Sequence, residues 1–380
     1  MFYKYQPAEN KKRYIEQLRI AGALSRLYSD NQAPYLVSRL VENVFCDAFN
    51  AENLSRSDCS VDAKFGRVGI GIKTFLHTSK LQKVAEFNKD SPSYKHLSKV
   101  EKIERIAELR NERLETTKRI YGVDTLVYHY ITREKGRINI YEEAMQMIDI
   151  PNIKNVIETK TSITFEDGNN RYSFNLSKST LMKHFDLSNA IDQFDVNIVN
   201  DPMEMLRSLV IEDQESFTPN LPDVEFLILA LYSIKGSKKV VHPKSGLNQW
   251  NAAGRKRDFN EVYIPIPSMI HKTNPDFFPL RDQPFNLRLP NGAIMSAKVC
   301  QDNSKALMSN PNKALGKWLL RDVLDLQEGE LLIYERLQEI GLDSVIIYKY
   351  SDDDYAIDFR EVGTYEEFIE RSLDIDAEEE

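Results

Sequence analysis

Apolar residues recur at helical spacing twice within the first fifty positions. Tyr14, Leu18, Ala21, Leu24 and Tyr28 predict a helix over 11–28. Val37, Leu40, Val41, Val44, Phe45 and Ala48 predict a second, opening at Pro34. The period then shortens, and "NLSRS" (53–57), "CSVDAK" (59–64) and "VGIGIKTFL" (68–76) read as strands. Ser79 predicts an N-cap for a helix running through Asn88, and a long charged helix follows over 97–121, stopping at Gly122. "DTLVYHYIT" and "GRINIYEE" return to strand character. "NVIETKTSITFED" and "NRYSFNLS" flank Gly168-Asn169-Asn170 as the arms of a hairpin.

The stretch 186–224 loses this periodicity and gains Asp, Asn and Pro, which marks a connection whose linker proper is 206–225. From "VEFLILALYS" onward, strands alternate with Pro- and Gly-rich turns: "EVYIPIP", "FNLRLPNG", "IMSAKVC", "SVIIYKY", "YAIDF". With short helices over 313–324 and 330–340, the pattern predicts a small β-barrel. Four segments result: 1–205, the linker, a second domain over 226–365 and an acidic tail over 366–380.

Composition fits two domains with cores of their own. The chain has 380 residues, 42% of them hydrophobic and 28% charged. No apolar run approaches a membrane span, and "MFYKYQPAENKKRY" lacks a signal-peptide core, so a cytoplasmic, membrane-free protein is expected. Cys46, Cys59 and Cys300 form no CxxC pair and suggest neither a zinc ribbon nor a disulfide framework. His77 and His96 have no second ligand at metal spacing. The net charge of −8 argues mildly against a non-specific nucleic-acid coat, yet 236–257 carries Lys and Arg with no acid. Local patches decide whether phosphates dock.

Chemistry concentrates first at "SVDAKFGRVGIGIKTF" (60–75). An acid entering one strand and a lysine on the next can hold a divalent cation and orient water for phosphodiester hydrolysis. Asp62 and Lys73 fit that pattern, which resembles the PD-(D/E)xK nucleases. The second acid expected two residues before the lysine is replaced by Gly71. Some restriction endonucleases of that superfamily carry a migrated acid on a following helix, and the resemblance assigns that role to Glu86, with Glu42 on the preceding helix in support. It implies an α/β restriction-endonuclease-like domain using Mg²⁺ held by Asp62 and Glu86. Downstream, Arg110, Asn111 and Arg113 are side chains suited to base edges, although neighbouring glutamates offer them partners on the helix.

The second half resembles a different family through "SGLNQWNAAGRKRDFNEVYIPIP", "FFPLRDQPFNLRLPNG", "SAKVCQDNSKALMSNPNKALGKWLLR" and "GLDSVIIYKYSDDDYAIDF". These segments are similar to the B3-like DNA-binding domain of type II restriction endonucleases. The resemblance implies a seven-stranded open pseudobarrel with short helices that clasps the major groove with two arms. One arm would carry Gln249, Trp250, Asn251, Arg255, Arg257 and Asn260. The other would carry Gln301, Asn303, Lys305, Ser309, Asn310 and Asn312. Trp318, set among leucines, reads as core.

Together the resemblances imply a prokaryotic type II restriction endonuclease that hydrolyses double-stranded DNA near a short site, with a cognate methyltransferase in the same system. A single such centre cuts one strand at a time, which calls for a homodimer or sequential nicking. Two alternatives stay open at this level: a DNA-binding protein with an inactive nuclease domain, and a nuclease with its own specificity and the B3-like domain as effector.

Overall fold

The computed structural model describes residues 1–55, 57–211, 224–236, 238–248 and 258–370. They fall into two units, Met1–Leu114 with Val123–Leu221, and Glu115–Gly122 with Pro222–Glu380. The first unit is mixed α/β and the second is built on a seven-stranded sheet. Among the described residues no helix is long and apolar enough to cross a membrane.

The first unit opens with α1 (Ala8–Ala23) and α2 (Ser38–Phe49). Helix α1 is shorter than its spacing predicts: Leu24 already leads into a 3-10 turn, and Tyr28 is exposed. Helix α2 begins at Ser38 rather than Pro34, because Val37 is extended. Val41, Phe45, Ala48 and Phe49 form its buried face, and Asn50 ends it in the left-handed region at φ +53°, donating its N–H to the Cys46 carbonyl.

Strands β1 (Glu52–Asn53), β2 (Ala63–Phe65) and β3 (Val68–Leu76) follow as antiparallel neighbours, and then β4 (Leu81–Glu86) leaves for another sheet. After α3 (Ser91–Tyr94) and α4 (Lys99–Tyr121), β5 (Thr125–Glu134) returns to lie parallel to β3, with β6 (Arg137–Ala144) antiparallel beside it. The next strands are β7 (Lys154–Glu158), β8 (Ser162–Glu166), β9 (Arg171–Asn175), β10 (Thr180–His184) and β11 (Asp192–Asp195), followed by α5 (Pro202–Ile211). The six-stranded sheet runs β1-β2-β3-β5-β6-β11 and the five-stranded sheet β4-β10-β9-β8-β7. The hairpin at Gly168 is the β8–β9 pair. Strand β11 lies inside the stretch expected to be a connection.

Alternation sorts β3 between two faces. Ile70 and Ile72 enter the core with Phe45, Phe49, Ile131 and Ile140, while Gly71, Lys73 and Phe75 face the opposite side. A second core joins Ile103, Ile106, Ala107 and Leu109 of α4 to Ile163, Phe165, Phe174 and Leu181 of the five-stranded sheet.

The second unit contains β12 (Glu225–Ala230), β13 (Ser233–Lys235), β14 (Lys238–Val240), β15 (Ile264–Pro265), α6 (Ser268–Thr273), β16 (Pro284–Arg288), β17 (Ile294–Cys300) and β18 (Ala306–Ser309). It continues through α7 (Ala314–Gly316), a π-helical stretch Lys317–Val323, α8 (Tyr334–Ile340), β19 (Leu342–Lys349) and β20 (Asp354–Glu361). Its main sheet runs β12-β19-β20-β16-β17-β18-β15, and the two end strands come close enough to leave a nearly closed pseudobarrel. Pro265 sits in the two-residue edge strand β15, where its missing N–H leaves no gap in the ladder. Trp318 is buried, as its leucine neighbours predict.

Candidate functional site

Asp62 is fixed by three backbone bonds at the point where β2 begins. Its N–H donates to the Ile70 carbonyl at 2.8 Å, and its own carbonyl accepts the Leu54 N–H at 2.9 Å. The carboxylate reaches further, and Oδ2 accepts the Ile72 N–H at 2.6 Å. The side chain thus extends the β2–β3 ladder past the end of β2. Burial raises the Asp62 pKa above the ordinary carboxylate value; Lys73 and the Ile72 N–H pull it down, Glu42 pushes it up and Arg39 lowers it. The groups whose charges act on Asp62 therefore come from α2 and β3.

Glu42 lies on α2 beside the buried face, its side chain 12% exposed, and Arg39 Nη1 is 3.3 Å from its Oε2. Burial, then Glu42 and Asp62, push the Cys46 thiol up to about 12, so this cysteine stays protonated and inert. Lys73 acts on Asp62 through space and closes no ion pair with it. Asp62, Glu42, Lys73 and Arg39 thus form one electrostatic group at the corner between α2 and β3.

Glu86 is not part of that corner. The segment expected to be a helix over 79–88 is instead β4, paired with β10 through Glu86↔Thr180 in the five-stranded sheet. The Glu86 side chain is exposed, bonded to Lys83 and, at 2.6 Å, to the Asn88 amide. The Lys83 bond is the first cause of its lowered pKa. "LQKVAE" reads equally well with either period, and Val84 and Ala85 are drawn into the second core by the strand pairing. Nor is there an open space at Gly71 for a carboxylate to enter: a Cβ there would meet Met145 Cε at 2.5 Å and Tyr128 Cδ1 at 3.3 Å.

Three residues of α4 expected at DNA are turned inward. Arg110 is 4% exposed and donates to the Tyr128 hydroxyl at 2.8 Å. Asn111 brackets the Ile148 backbone, donating to its carbonyl and accepting its N–H, each at 2.8 Å. Arg113 bonds Asp90 and the Glu86 carbonyl at 2.7 Å and lies over the Phe87 ring. These side chains bolt α4 to β5 and to the segments around it. Their polar heads are consumed internally, which residue type alone does not disclose.

One polar network carried no sequence signal strong enough to notice. His129 is fully buried, with Nε2 3.0 Å from the Tyr14 hydroxyl and Nδ1 3.1 Å from Glu142 Oε1. Both Glu142 oxygens accept the Tyr3 N–H, at 2.9 and 3.0 Å, and the Tyr3 hydroxyl donates to Asp192. Ile72, His129 and Glu142 stand in register across β3, β5 and β6, immediately beside Lys73. The available signal was a charged or polar residue at an inward position of two otherwise apolar strands.

In the second unit Gln249, Trp250, Asn251, Arg255 and Arg257 lie outside the described residues, so the first expected arm is seen only at its stems. Asn248 is buried, bonding the Leu332 backbone through both its amide groups at 2.8 and 2.9 Å. Asn260 is a stem residue as well: its Oδ1 accepts Arg321 Nε at 3.0 Å, while Arg321 also holds the carbonyls of Phe259, Leu326 and Gln327. Gly316 permits this approach, because a Cβ there would lie 2.0 Å from the Asn260 carbonyl oxygen.

The second expected arm divides. Gln301, Asn303 and Ser304 take positive φ of 68°, 59° and 52° in the turn between β17 and β18, which leaves Asn303 and Lys305 exposed. His271 Nε2 bonds the Ser304 carbonyl at 3.0 Å and braces that turn. Asn310 is exposed and Asn312 half-exposed. Ser309, however, is buried, and its Oγ accepts the Leu315 N–H at 2.8 Å. It satisfies a first-turn N–H of α7 and is buried away from any ligand.

With this geometry in hand, comparison with known proteins finds one matching family, described as the NgoFVII C-terminal B3-like DNA-binding domain, over residues 225–351. No curated protein matches the chain. The match covers about a third of the sequence and spans the pseudobarrel from β12 through β19, stopping short of its seventh strand, β20. This part of the chain is thus similar to the DNA-binding domain of a restriction enzyme.

Proposed function

We propose that this protein is a type II restriction endonuclease, hydrolysing phosphodiester bonds of double-stranded DNA near a short sequence read mainly by its pseudobarrel. The observation that carries the reading is the likeness of residues 225–351 to a restriction-enzyme DNA-binding domain in the same chain as the Asp62–Glu42–Lys73 corner. Prokaryotic cytoplasm and a partner methyltransferase follow from that reading.

Mg²⁺ suits the corner. Glu42 and Asp62 are close enough to repel, both are withdrawn from solvent, and a hard cation needs only one or two carboxylates when water and phosphate complete its shell. Among the described residues no cluster of three or more acidic, His or Cys ligands exists, so substrate and water would have to complete the shell. Bound there, Mg²⁺ would neutralise charge on the phosphate and lower the pKa of an attacking water. The chain's own contributions are separable. The Ile72 N–H keeps the Asp62 carboxylate aimed, Lys73 orients the water and stabilises the oxyanion, and Glu42 supplies the second acid in place of Glu86.

A second reading is favoured by Gly71, whose flank is filled by Met145 and Tyr128: a sequence-specific DNA-binding protein whose nuclease domain is silent. Incubation of the intact protein with unmethylated plasmid and phage DNA, with and without Mg²⁺, separates the two. Discrete fragments that require metal and vanish in Asp62→Ala support the enzyme. Tight selective binding without cleavage under Mg²⁺ or Mn²⁺ supports the silent domain.

A further inference from the structure

Arg39 stands in the first turn of α2, and its ion pair with Glu42 differs from the other i,i+3 pairs. In Lys83–Glu86, Arg105–Glu108, Lys118–Glu115, Arg336–Glu339 and Lys349–Asp352 the acid is between 38% and 84% exposed, so water would serve it as well as the partner does. Glu42 is 12% exposed and shares its surroundings with Asp62. Arg39 itself is 39% exposed, and its charge also reaches Asp62 and Cys46. Lys73, the other cation of the corner, closes no ion pair with Asp62. The guanidinium is therefore the cation in direct contact with a carboxylate of this group.

We propose that Arg39 is a resident counter-cation, which holds the Glu42 carboxylate until a divalent cation takes it and then transfers to a phosphate of the DNA backbone. The proposal rests on the reading of Asp62 and Glu42 as the metal-holding acids. Its chemistry is exchange between equivalent partners, because the planar guanidinium fork fits a carboxylate and a phosphate in the same way. The exposed part of the side chain can swing to a phosphate while Glu42 stays where α2 puts it. Metal and guanidinium then compete for one set of oxygens, and a phosphate that draws Arg39 away favours the metal. Metal binding and DNA binding become positively coupled through this one side chain.

The test is calorimetric titration of Ca²⁺ into the intact protein, Arg39→Ala, Arg39→Lys, Glu42→Gln and Asp62→Asn, first without DNA and then with linear plasmid DNA present. Arg39→Ala should bind Ca²⁺ about fivefold more tightly without DNA, and DNA should improve its affinity less than it improves that of the intact protein, because the phosphate still completes the metal's shell. With Mg²⁺ its KM for plasmid should rise more than its kcat falls, and Arg39→Lys should recover part of both. An unchanged or weaker Ca²⁺ affinity in Arg39→Ala, or full retention of the DNA effect, overturns the proposal. If Glu42→Gln and Asp62→Asn bind Ca²⁺ as the intact protein does, the metal-holding reading itself falls. Loss of Ca²⁺ binding in those two variants, with Arg39→Ala unaltered, removes only the role of Arg39. Titration without turnover keeps the two failures distinct.

Discussion

Two regions of the first unit, the solvated edge of the five-stranded sheet and the inner side of the six-stranded sheet, treat charge in opposite ways. The five-stranded sheet carries closed, water-facing pairs: Glu86 with Lys83, and Glu166 with Arg171 and Asn155. The six-stranded sheet holds Asp62, Glu42, His129 and Glu142 in or near its core. Some of these are fully partnered, as His129 is, whereas Asp62 is kept ionisable by a lysine that never closes on it. A satisfied surface pair adds little to stability and has nothing left to offer a ligand. Withdrawn acids with incomplete partners retain that capacity at a cost in folding free energy. The distinction separates two glutamates, Glu86 and Glu42, that are indistinguishable as letters.

Cleavage tests this distinction most strongly. Asp62→Ala should reduce plasmid cutting by about a thousandfold, the scale of losing electrostatic stabilisation at a reacting phosphate, while Glu86→Gln should stay within about twofold. A dead Glu86→Gln enzyme would return the second acid to the five-stranded sheet. Glu42→Gln comes next, with a loss of about tenfold or more and a raised Mg²⁺ requirement; an unchanged Mg²⁺ titration would break the pairing of Glu42 with Asp62.

How much of this could be read from letters differs by element. Helix α2 was legible because its apolar stripe has helical spacing and one buried face, and six of the seven pseudobarrel strands were legible from alternation punctuated by Pro and Gly, β18 being the one not singled out. Asp62 and Lys73 stood out because an acid at a strand entrance and a lysine within a Gly-rich strand are separated by a single turn. Glu86 was misplaced because "LQKVAE" carries no decisive period, and only pairing with β10 selects the strand. Arg110, Asn111 and Arg113 were misread since a sequence gives residue type, not the direction a helix turns it. Ser309 failed because it ends a strand buried along its whole length, where its hydroxyl accepts the Leu315 N–H. The His129 chain joins residues 3, 14, 129, 142 and 192, and no local pattern could assemble it.

Two smaller effects sharpen the comparison through stability. His129→Ala leaves the Tyr14 hydroxyl and a Glu142 oxygen without their buried partner, and should cost about 1–3 kcal/mol in urea unfolding. Any protein that remains folded should keep its cutting rate, since among the described residues no hydrogen bond or ion pair joins the network to Asp62, Glu42 or Lys73. Asp62→Asn should act in the other direction. A carboxyl whose folded pKa is raised contributes favourably only while protonated, and that contribution disappears as pH rises through the folded value. At neutral pH the ionised group is therefore a burden, and the amide still accepts the Ile72 N–H. The variant should melt a few degrees higher, at about 2–4 °C per kcal/mol, with the advantage fading as the buffer is acidified below the Asp62 pKa. An advantage that grew on acidification would contradict the assigned direction. Lys83→Ala, on the solvated sheet, should shift unfolding by about 0.5 kcal/mol or less.

The parallel pairing of β3 with β5 has a consequence for synthesis. The ladder that completes the lysine-bearing strand joins Val68 to Thr125 and Leu76 to Arg133, across an excursion that contains β4, α3 and α4. A chain still emerging from the ribosome holds Glu42, Asp62 and Lys73 long before it holds their partner strand, and long-range parallel contacts of this kind form late. The pseudobarrel is made later still. Under the proposed function, a nascent chain would lack an assembled centre throughout that interval, whose length is set by translation.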